Sequence, residues 1–266
     1  MLLCLPRRSP VVVGNWACHI CRLPKNSSSS CAPSSKRSLD VKRFTTRVGL
    51  KGAGRMEVLS ADTTLLLPNA KAPPVLLFDV MGTIVRDPFF EEIPAFFGLS
   101  MKELLVVKHP TTWMEFESGQ VTEEELMKNF FLDGRDVDIE GLKHCMIRGY
   151  SYLEGVELLL SRLQSAGFNM HAFSNYPSWY MMIEEKLKLS QYLPWTFVSC
   201  NMGLRKPDKR VYLEATRQLK VDPSHCIFID DRSKNVEAAV EVGMVGIVFQ
   251  DAKQVERELA GFGYVF

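Results

Sequence analysis

No run of about 18 or more apolar residues occurs in the chain, so a membrane-spanning helix is not expected. Cysteine is too scarce for a disulfide framework. Beyond residue 72 only Cys145, Cys200 and Cys226 remain, an odd number that suits a reducing compartment. What the first 72 residues lack is acid. They carry 12 Lys/Arg and 3 Asp/Glu, with Asp40 alone before Glu57, whereas the rest carries 20 basic and 28 acidic residues. The formal net charge of +1 therefore conceals two unlike polypeptides.

The basic leader holds Arg7, Arg8, Arg22, Arg37, Arg43, Arg47 and Arg55, together with a Ser27-Ser28-Ser29-Ser30 run. Such an acid-poor, serine-rich segment reads as an organelle transit peptide and is set aside from the fold. A nucleic-acid-binding arm would use the same charges with interleaved aromatics, of which only Trp16 and Phe44 are present, so no nucleic-acid partner is expected. Val11-Val12-Val13 is too short for the apolar core of a secretory signal. Cys18-His19-Ile20-Cys21 has C-x-x-C spacing but no second Cys/His pair at zinc spacing, so chance explains it. The leader grades into a linker ending at Ala72-Pro73-Pro74.

With 46% hydrophobic and 24% charged residues, the chain can bury a full core. Val75-Leu76-Leu77-Phe78 is a continuous apolar run, the pattern of a strand buried on both faces of a parallel sheet, and it ends in Asp79. Similar runs extend from Phe168 to Phe173 into Ser174, from Trp195 to Val198, and from Cys226 to Ile229 into Asp230-Asp231; Val245 to Phe249 is a further candidate. Amphipathic helical patterns alternate with them, at Leu153–Ala166, Asp208–Leu219 and Ser233–Val242. Alternation of this kind predicts an α/β fold built on a doubly wound parallel sheet, with ligands bound outside the carboxyl ends of the strands. Asp79, Ser174, Asp230 and Asp231 then meet at one mouth.

One segment breaks the alternation. Residues 88–150 show no convincing strand and read as helices around Glu91–Phe97, Met101–Val107, Thr122–Leu132 and Ile139–Arg148, with Thr122 and Glu125 forming a capping-box signature. Inserted after the first strand, they are expected to form a lid over the strand ends. The expected organisation is a leader and linker over 1–72, a core built from 73–87 and 151–266, and a helical cap over 88–150.

The chemistry follows from the residue types at that mouth. Hydrolysing a phosphate ester needs a nucleophile, charge neutralisation on the phosphoryl oxygens and protonation of the leaving alkoxide. Asp79 fits the nucleophile, forming an aspartyl-phosphate. Two anions approach each other only with a cation between them, so Mg²⁺ is expected, with Asp230 and Asp231 as metal carboxylates. Lys206 can damp the charge shared by nucleophile and phosphate. Ser174, with backbone N–H groups near Asn175, can bind the phosphoryl oxygens. The expected partner is a small-molecule phosphate ester.

Phe78-Asp79-Val80-Met81-Gly82-Thr83, Phe173-Ser174-Asn175, Arg205-Lys206-Pro207-Asp208 and Phe228-Ile229-Asp230-Asp231 together resemble the haloacid dehalogenase-like hydrolase superfamily over residues 75–250. The resemblance implies a Rossmann-like core with a helical cap inserted after the first strand. It implies Asp79 as nucleophile and Ser174 and Lys206 around the phosphate. It also adds the Met81 backbone carbonyl to Asp79, Asp230 and Asp231 around Mg²⁺. One departure matters: phosphatases of the superfamily carry a second Asp, the general acid and base, where this chain has Met81. Members that act as dehalogenases also lack that acid, but they carry Tyr there and need no Mg²⁺.

A narrower set of residues is similar to the plant chloroplast flavin mononucleotide hydrolases, which also have Met at that place. It comprises Leu76 to Met81, Thr83 to Phe89, Lys108-His109-Pro110-Thr111, Asn129 to Asp136 and Lys186 to Ser190. The carry-over is incomplete at Gly82, where that family has Asp. The resemblance implies hydrolysis of FMN to riboflavin and phosphate in the plastid stroma, which agrees with the leader. The alternatives are another phosphorylated metabolite such as 5-amino-6-(5-phosphoribitylamino)uracil, or a non-catalytic member of the fold. With Met81 unable to transfer a proton, His109, Asp87 and Glu115 are the candidate donors, and a Mg²⁺-polarised water is another. Trp113, Phe116, Phe130 and Phe131 could stack on a flavin ring, but their helical spacing reads as core.

Overall fold

A computed structural model describes residues 73–266. The proposed transit peptide, its linker and the Cys18–Cys21 pattern lie outside the described residues. Five parallel strands form one sheet in the order β3-β2-β1-β4-β5. They are β1 (Val75–Phe78), β2 (Asn169–Ser174), β3 (Phe197–Val198), β4 (Cys226–Asp230) and β5 (Val245–Val248). The expected doubly wound α/β sheet is therefore what the chain forms. β1 is central, and its side chains alternate between two hydrophobic clusters: Leu76 and Phe78 pack into one, Val75 and Leu77 into the other. That alternation is why the run carries no polar residue.

From β1 the chain goes to β2 on one side, and it later returns to β4 on the other. This is the topological switch point of the sheet, where a crevice opens at the carboxyl ends. In register, Phe78 lies beside Ala172 of β2 and Ile229 of β4. Asp79, Ser174 and Asp230 consequently emerge at one end of three adjacent strands.

The core helices are α6 (Val156–Ser165), α7 (Tyr180–Leu187), α8 (Ser199–Met202), α9 (Lys209–Leu219), α10 (Ser233–Glu241) and α11 (Ala252–Gly261); they follow five earlier helices, α1 to α5, between β1 and α6. These earlier helices are α1 (Glu92–Phe96), α2 (Met101–Val107), α3 (Thr112–Glu117), α4 (Glu123–Asn129) and α5 (Ile139–Gly149). The Thr122–Glu125 capping box is present at the start of α4, and Ser100 and Glu103 form a second one at α2. α3 is an addition to the helices that the sequence pattern predicts. It touches α8, and α5 touches α7, so the helical segment packs on the sheet-bearing part. Phe116, Phe130 and Phe131 are buried, and Trp113 packs edge-to-face on Trp179 and Phe116, so these aromatics belong to the core as their spacing implied. Among the described residues no helix is long and apolar enough to cross a membrane.

Candidate active site

Immediately after β1 the backbone closes a tight turn. The N–H groups of Ile84 and Val85 donate to the Val80 carbonyl, and Gly82 N–H donates to the Val85 carbonyl. Gly82 has φ +83°, and a Cβ there would stand 2.8 Å from Asp231 Oδ2. A glycine at this position lets the turn lie directly against the β4 loop. Thr83 ties the two loops together. Its hydroxyl donates to Asp79 Oδ2 at 3.2 Å and accepts from the Asp231 N–H at 3.1 Å.

Lys206 is the electrostatic centre of the site. Only 1% exposed, its ammonium donates to Asp79 Oδ1 at 2.7 Å, Asp230 Oδ2 at 2.7 Å and the Phe173 carbonyl at 2.6 Å, using all three protons. Burial works against its charge, but Asp230 and Asp79 outweigh burial and raise its pKa. The Asp230 carboxylate is equally occupied. Its oxygens also accept from the Asn235 side chain, at 3.0 Å each, and from the Arg232 N–H at 2.8 Å.

Asp79 sits differently. Burial pushes its carboxyl up, to about 7, against the pull of Lys206, and Asp230 and Asp231 push it further. Burial and the adjacent Asp230 likewise raise Asp231, to about 6, although its side chain faces solvent on one side. Asp79, Asp230 and Asp231 each offer an oxygen, all within 4.8 Å of one another. Three crowded carboxylates opposed by the Lys206 ammonium and the Arg232 guanidinium leave net negative charge, which a hard divalent cation would relieve through oxygen ligands. The residues present fit such an ion.

Ser174 ends β2 at 2% exposure, and its hydroxyl is buried with no hydrogen-bond partner among the described residues. A buried orphan hydroxyl is costly, so it points to a polar group that the site is built to receive. Asn175 follows Ser174 and lines the pocket that Asp79 and Lys206 line. Its side chain clamps the Lys206 backbone, accepting from the N–H at 2.8 Å and donating to the carbonyl at 2.9 Å. It holds the lysine in place.

The pocket above these groups is lined by Asp79, Met81, Asp87, Glu117, Asn175, Tyr176, Arg205, Lys206, Arg232 and Asn235, and encloses about 50 Å³. Glu117, at the end of α3, accepts from Arg205 at 2.7 Å and from Trp113 Nε1 at 2.7 Å. His109 and Glu115 do not line it. The His109 Nδ1 faces the Thr112 hydroxyl at 2.6 Å and the Thr112 N–H at 3.2 Å, at the start of α3. It serves the helix end.

Comparison with known proteins bears on this geometry. A family model described as haloacid dehalogenase-like hydrolase matches residues 73–243. The chain is 58% identical over 190 residues to flavin mononucleotide hydrolase 1 of Arabidopsis thaliana, a chloroplastic protein, covering 71% of this chain and 78% of that one. Among solved structures, a haloacid dehalogenase family enzyme of Bacteroides thetaiotaomicron in complex with magnesium and inorganic phosphate aligns with TM-score 0.55 at 19% identity, covering 69% of this chain and 98% of its own. A HAD-like family hydrolase from Porphyromonas gingivalis aligns with TM-score 0.57 at 18% identity, covering 73% and 99%. At such identities the two structures speak for the fold.

Proposed function

The chain belongs to the haloacid dehalogenase-like hydrolases, and on that premise we propose that it is an Mg²⁺-dependent phosphomonoesterase that converts FMN to riboflavin and phosphate. One observation carries the chemical part: the fully buried Lys206 spans Asp79 and Asp230 beside a Ser174 hydroxyl that has no partner among the described residues. An ammonium in that position neutralises the nucleophile and the incoming phosphoryl group together. The 58% identity to a flavin mononucleotide hydrolase supports the substrate.

In this reading the Asp79 carboxylate attacks phosphorus and forms an aspartyl-phosphate, which water then hydrolyses. Lys206 and Ser174 hold phosphoryl oxygens, and Asn175 positions Lys206. Thr83 keeps Asp79 Oδ2 turned towards the Asp231 loop. Asp79, Asp230, Asp231 and the Met81 carbonyl would hold Mg²⁺, which when bound supplies positive charge to the phosphoryl oxygens. Of the three carboxylates, Asp79 and Asp231 have the oxygens with fewer protein partners. The phosphate enters the pocket and the flavin ring lies towards its mouth, where the helical segment 88–150 forms the lid. The acid-poor leader and the chloroplastic relative support import into the plastid, which a fusion of residues 1–72 to a fluorescent protein tests.

The substrate is tested by measuring phosphate release from FMN against a panel that includes other phosphorylated ribityl compounds. FMN is expected to show the highest kcat/KM; a higher value for another ester would reassign the substrate.

The metal has its own test. Mg²⁺ at about a hundredfold excess over its Kd should stabilise the protein by about 2.7 kcal/mol at pH 8. That corresponds to a Tm rise of about 5–10 °C for a domain of this size. The rise should shrink as the pH falls through about 7 and about 6, where Asp79 and Asp231 take up protons that compete with the cation. A Tm that ignores Mg²⁺ at pH 8 would rule out the metal at this site.

A further inference from the structure

We propose that Asp87 is the acid and base of this hydrolase, acting from the far end of the nucleophile's own loop in place of the residue at Met81. The inference rests on the phosphomonoesterase reading above. Met81 leaves the leaving alkoxide without a proton from the usual direction, and a donor must come from the wall of the same pocket. That wall offers two further carboxyls, Asp87 and Glu117.

Each Glu117 oxygen is already held by one donor, Oε1 by Trp113 and Oε2 by Arg205. Asp87 is held at one oxygen only. Its Oδ1 accepts from the Phe89 N–H at 2.9 Å, a local turn that fixes the side chain, while Oδ2 takes no hydrogen bond from the described residues. The carboxyl is thus oriented by one oxygen and open at the other. It lines the pocket together with Asp79, Met81, Tyr176 and Arg232.

Its surroundings suit a group that must hold a proton and give it up. Burial raises the Asp87 pKa; the Phe89 N–H and Arg232 draw it down, Glu92 pushes it up and Arg86 draws it down. Arg86 is itself pinned on Glu91 and Glu92. Near Asp87 are Tyr150 and Tyr176, whose hydroxyls share a hydrogen bond of 2.7 Å and whose pKa values burial pushes up, so neither phenol ionises to compete. Asp231 is a further acid within its field.

In the first step the Asp79 carboxylate forms a bond to phosphorus as the bond from phosphorus to the alkoxide breaks. The Asp87 carboxyl proton passes to that alkoxide, which leaves as the alcohol. In the second step water attacks the phosphorus of the aspartyl-phosphate, its proton passes to the Asp87 carboxylate, and Asp79 departs as a carboxylate with free phosphate. Both steps balance, and each side carries the same charge.

Asp87→Asn tests this, because the amide oxygen still accepts from Phe89 and preserves the turn. The readout compares FMN, whose alkoxide needs a proton, with p-nitrophenyl phosphate, whose leaving group departs as a stable anion. For Asp87→Asn, kcat/KM for FMN should fall about 10²–10⁴-fold. For p-nitrophenyl phosphate kcat/KM should stay within a few-fold of wild type. Its kcat should nevertheless drop, with a burst of p-nitrophenol equal to the active sites, because the second step has lost its base. Asp87→Glu should recover part of the FMN activity. Equal losses in kcat/KM on both substrates, or none on FMN, would overturn the proposal. If wild type hydrolyses neither substrate, or Asp79→Asn retains activity, the phosphomonoesterase reading itself fails and takes the role of Asp87 with it.

Discussion

Asp79→Asn is expected to leave a folded protein with turnover at least about 10⁴-fold below wild type, as when the nucleophile of a covalent mechanism is removed. The amide keeps the shape of the carboxylate and its oxygen can still accept from Lys206, while its NH2 takes the place of the oxygen to which Thr83 donates, so the packing is kept and that one hydrogen bond is lost. What is lost is the anion that attacks phosphorus. Stability should move the other way. The carboxyl of Asp79 is raised from 3.8 to about 7 in the folded state. A carboxyl raised on folding binds more protons folded than unfolded between those two values, so its contribution to stability declines as pH rises through that window. The neutral amide is exempt. Without metal at pH 8, Asp79→Asn should therefore melt at or above the wild-type temperature, and Mg²⁺ should raise its Tm less. Turnover within about tenfold of wild type would remove Asp79 from the role of nucleophile.

Lys206→Met is expected to combine loss of activity with severe destabilisation. The lysine is buried, and its three protons are spent on Asp79, Asp230 and the Phe173 carbonyl. Methionine fills much of the volume but leaves two carboxylates facing each other in the interior. Removing one member of a buried ionic set typically costs about 3–5 kcal/mol. The cost should depend on pH in a definite sense. Without the ammonium, the crowded carboxylates bind protons more tightly in the folded chain than in the unfolded one, so stability falls as pH rises. The deficit relative to wild type should be largest at pH 8 and shrink towards pH 5, as urea unfolding at both values would measure. Lys206→Arg should rescue little, because a planar fork does not match three acceptors arranged around a point charge. A deficit below about 1 kcal/mol at pH 8 would show that the lysine is not the electrostatic centre of the site.

Much of this arrangement is legible in the sequence. The apolar runs ending in Asp79, Ser174 and Asp230 form β1, β2 and β4, because a strand buried on both faces leaves a strong signature and its polar terminus marks the sheet's end. β3 is less legible, since only Phe197 and Val198 of the expected run pair with β2. α3 is hidden for a local reason. Its start carries no side-chain cap of its own; the His109 ring, three residues upstream, accepts from the Thr112 N–H instead.

The site follows the same division. Asp79, Lys206, Asp230 and Asp231 converge as their motifs imply, whereas the clamp of the Asn175 side chain on the Lys206 backbone is a further part that its motif does not announce. Nothing along the chain marks Asn235 or Glu117. Asn235 sits in the first turn of α10, five residues after the aspartate it serves, a spacing that carries no signal alone. Glu117 reaches Arg205 across 88 residues of chain, a pairing that only the folded chain reveals. Asp87 can be named from sequence as a donor, but its open oxygen cannot.

The central claim is that Asp79 becomes covalently phosphorylated during turnover. The direct measurement is an acid quench of the wild-type protein during steady hydrolysis of FMN with Mg²⁺, followed by peptide mass analysis. The expected result is a phosphoryl group on the peptide containing Asp79, absent from Asp79→Asn and chased away once the substrate is spent. Phosphate release at full rate with no phosphorylated Asp79, or with the group on another residue, would contradict it.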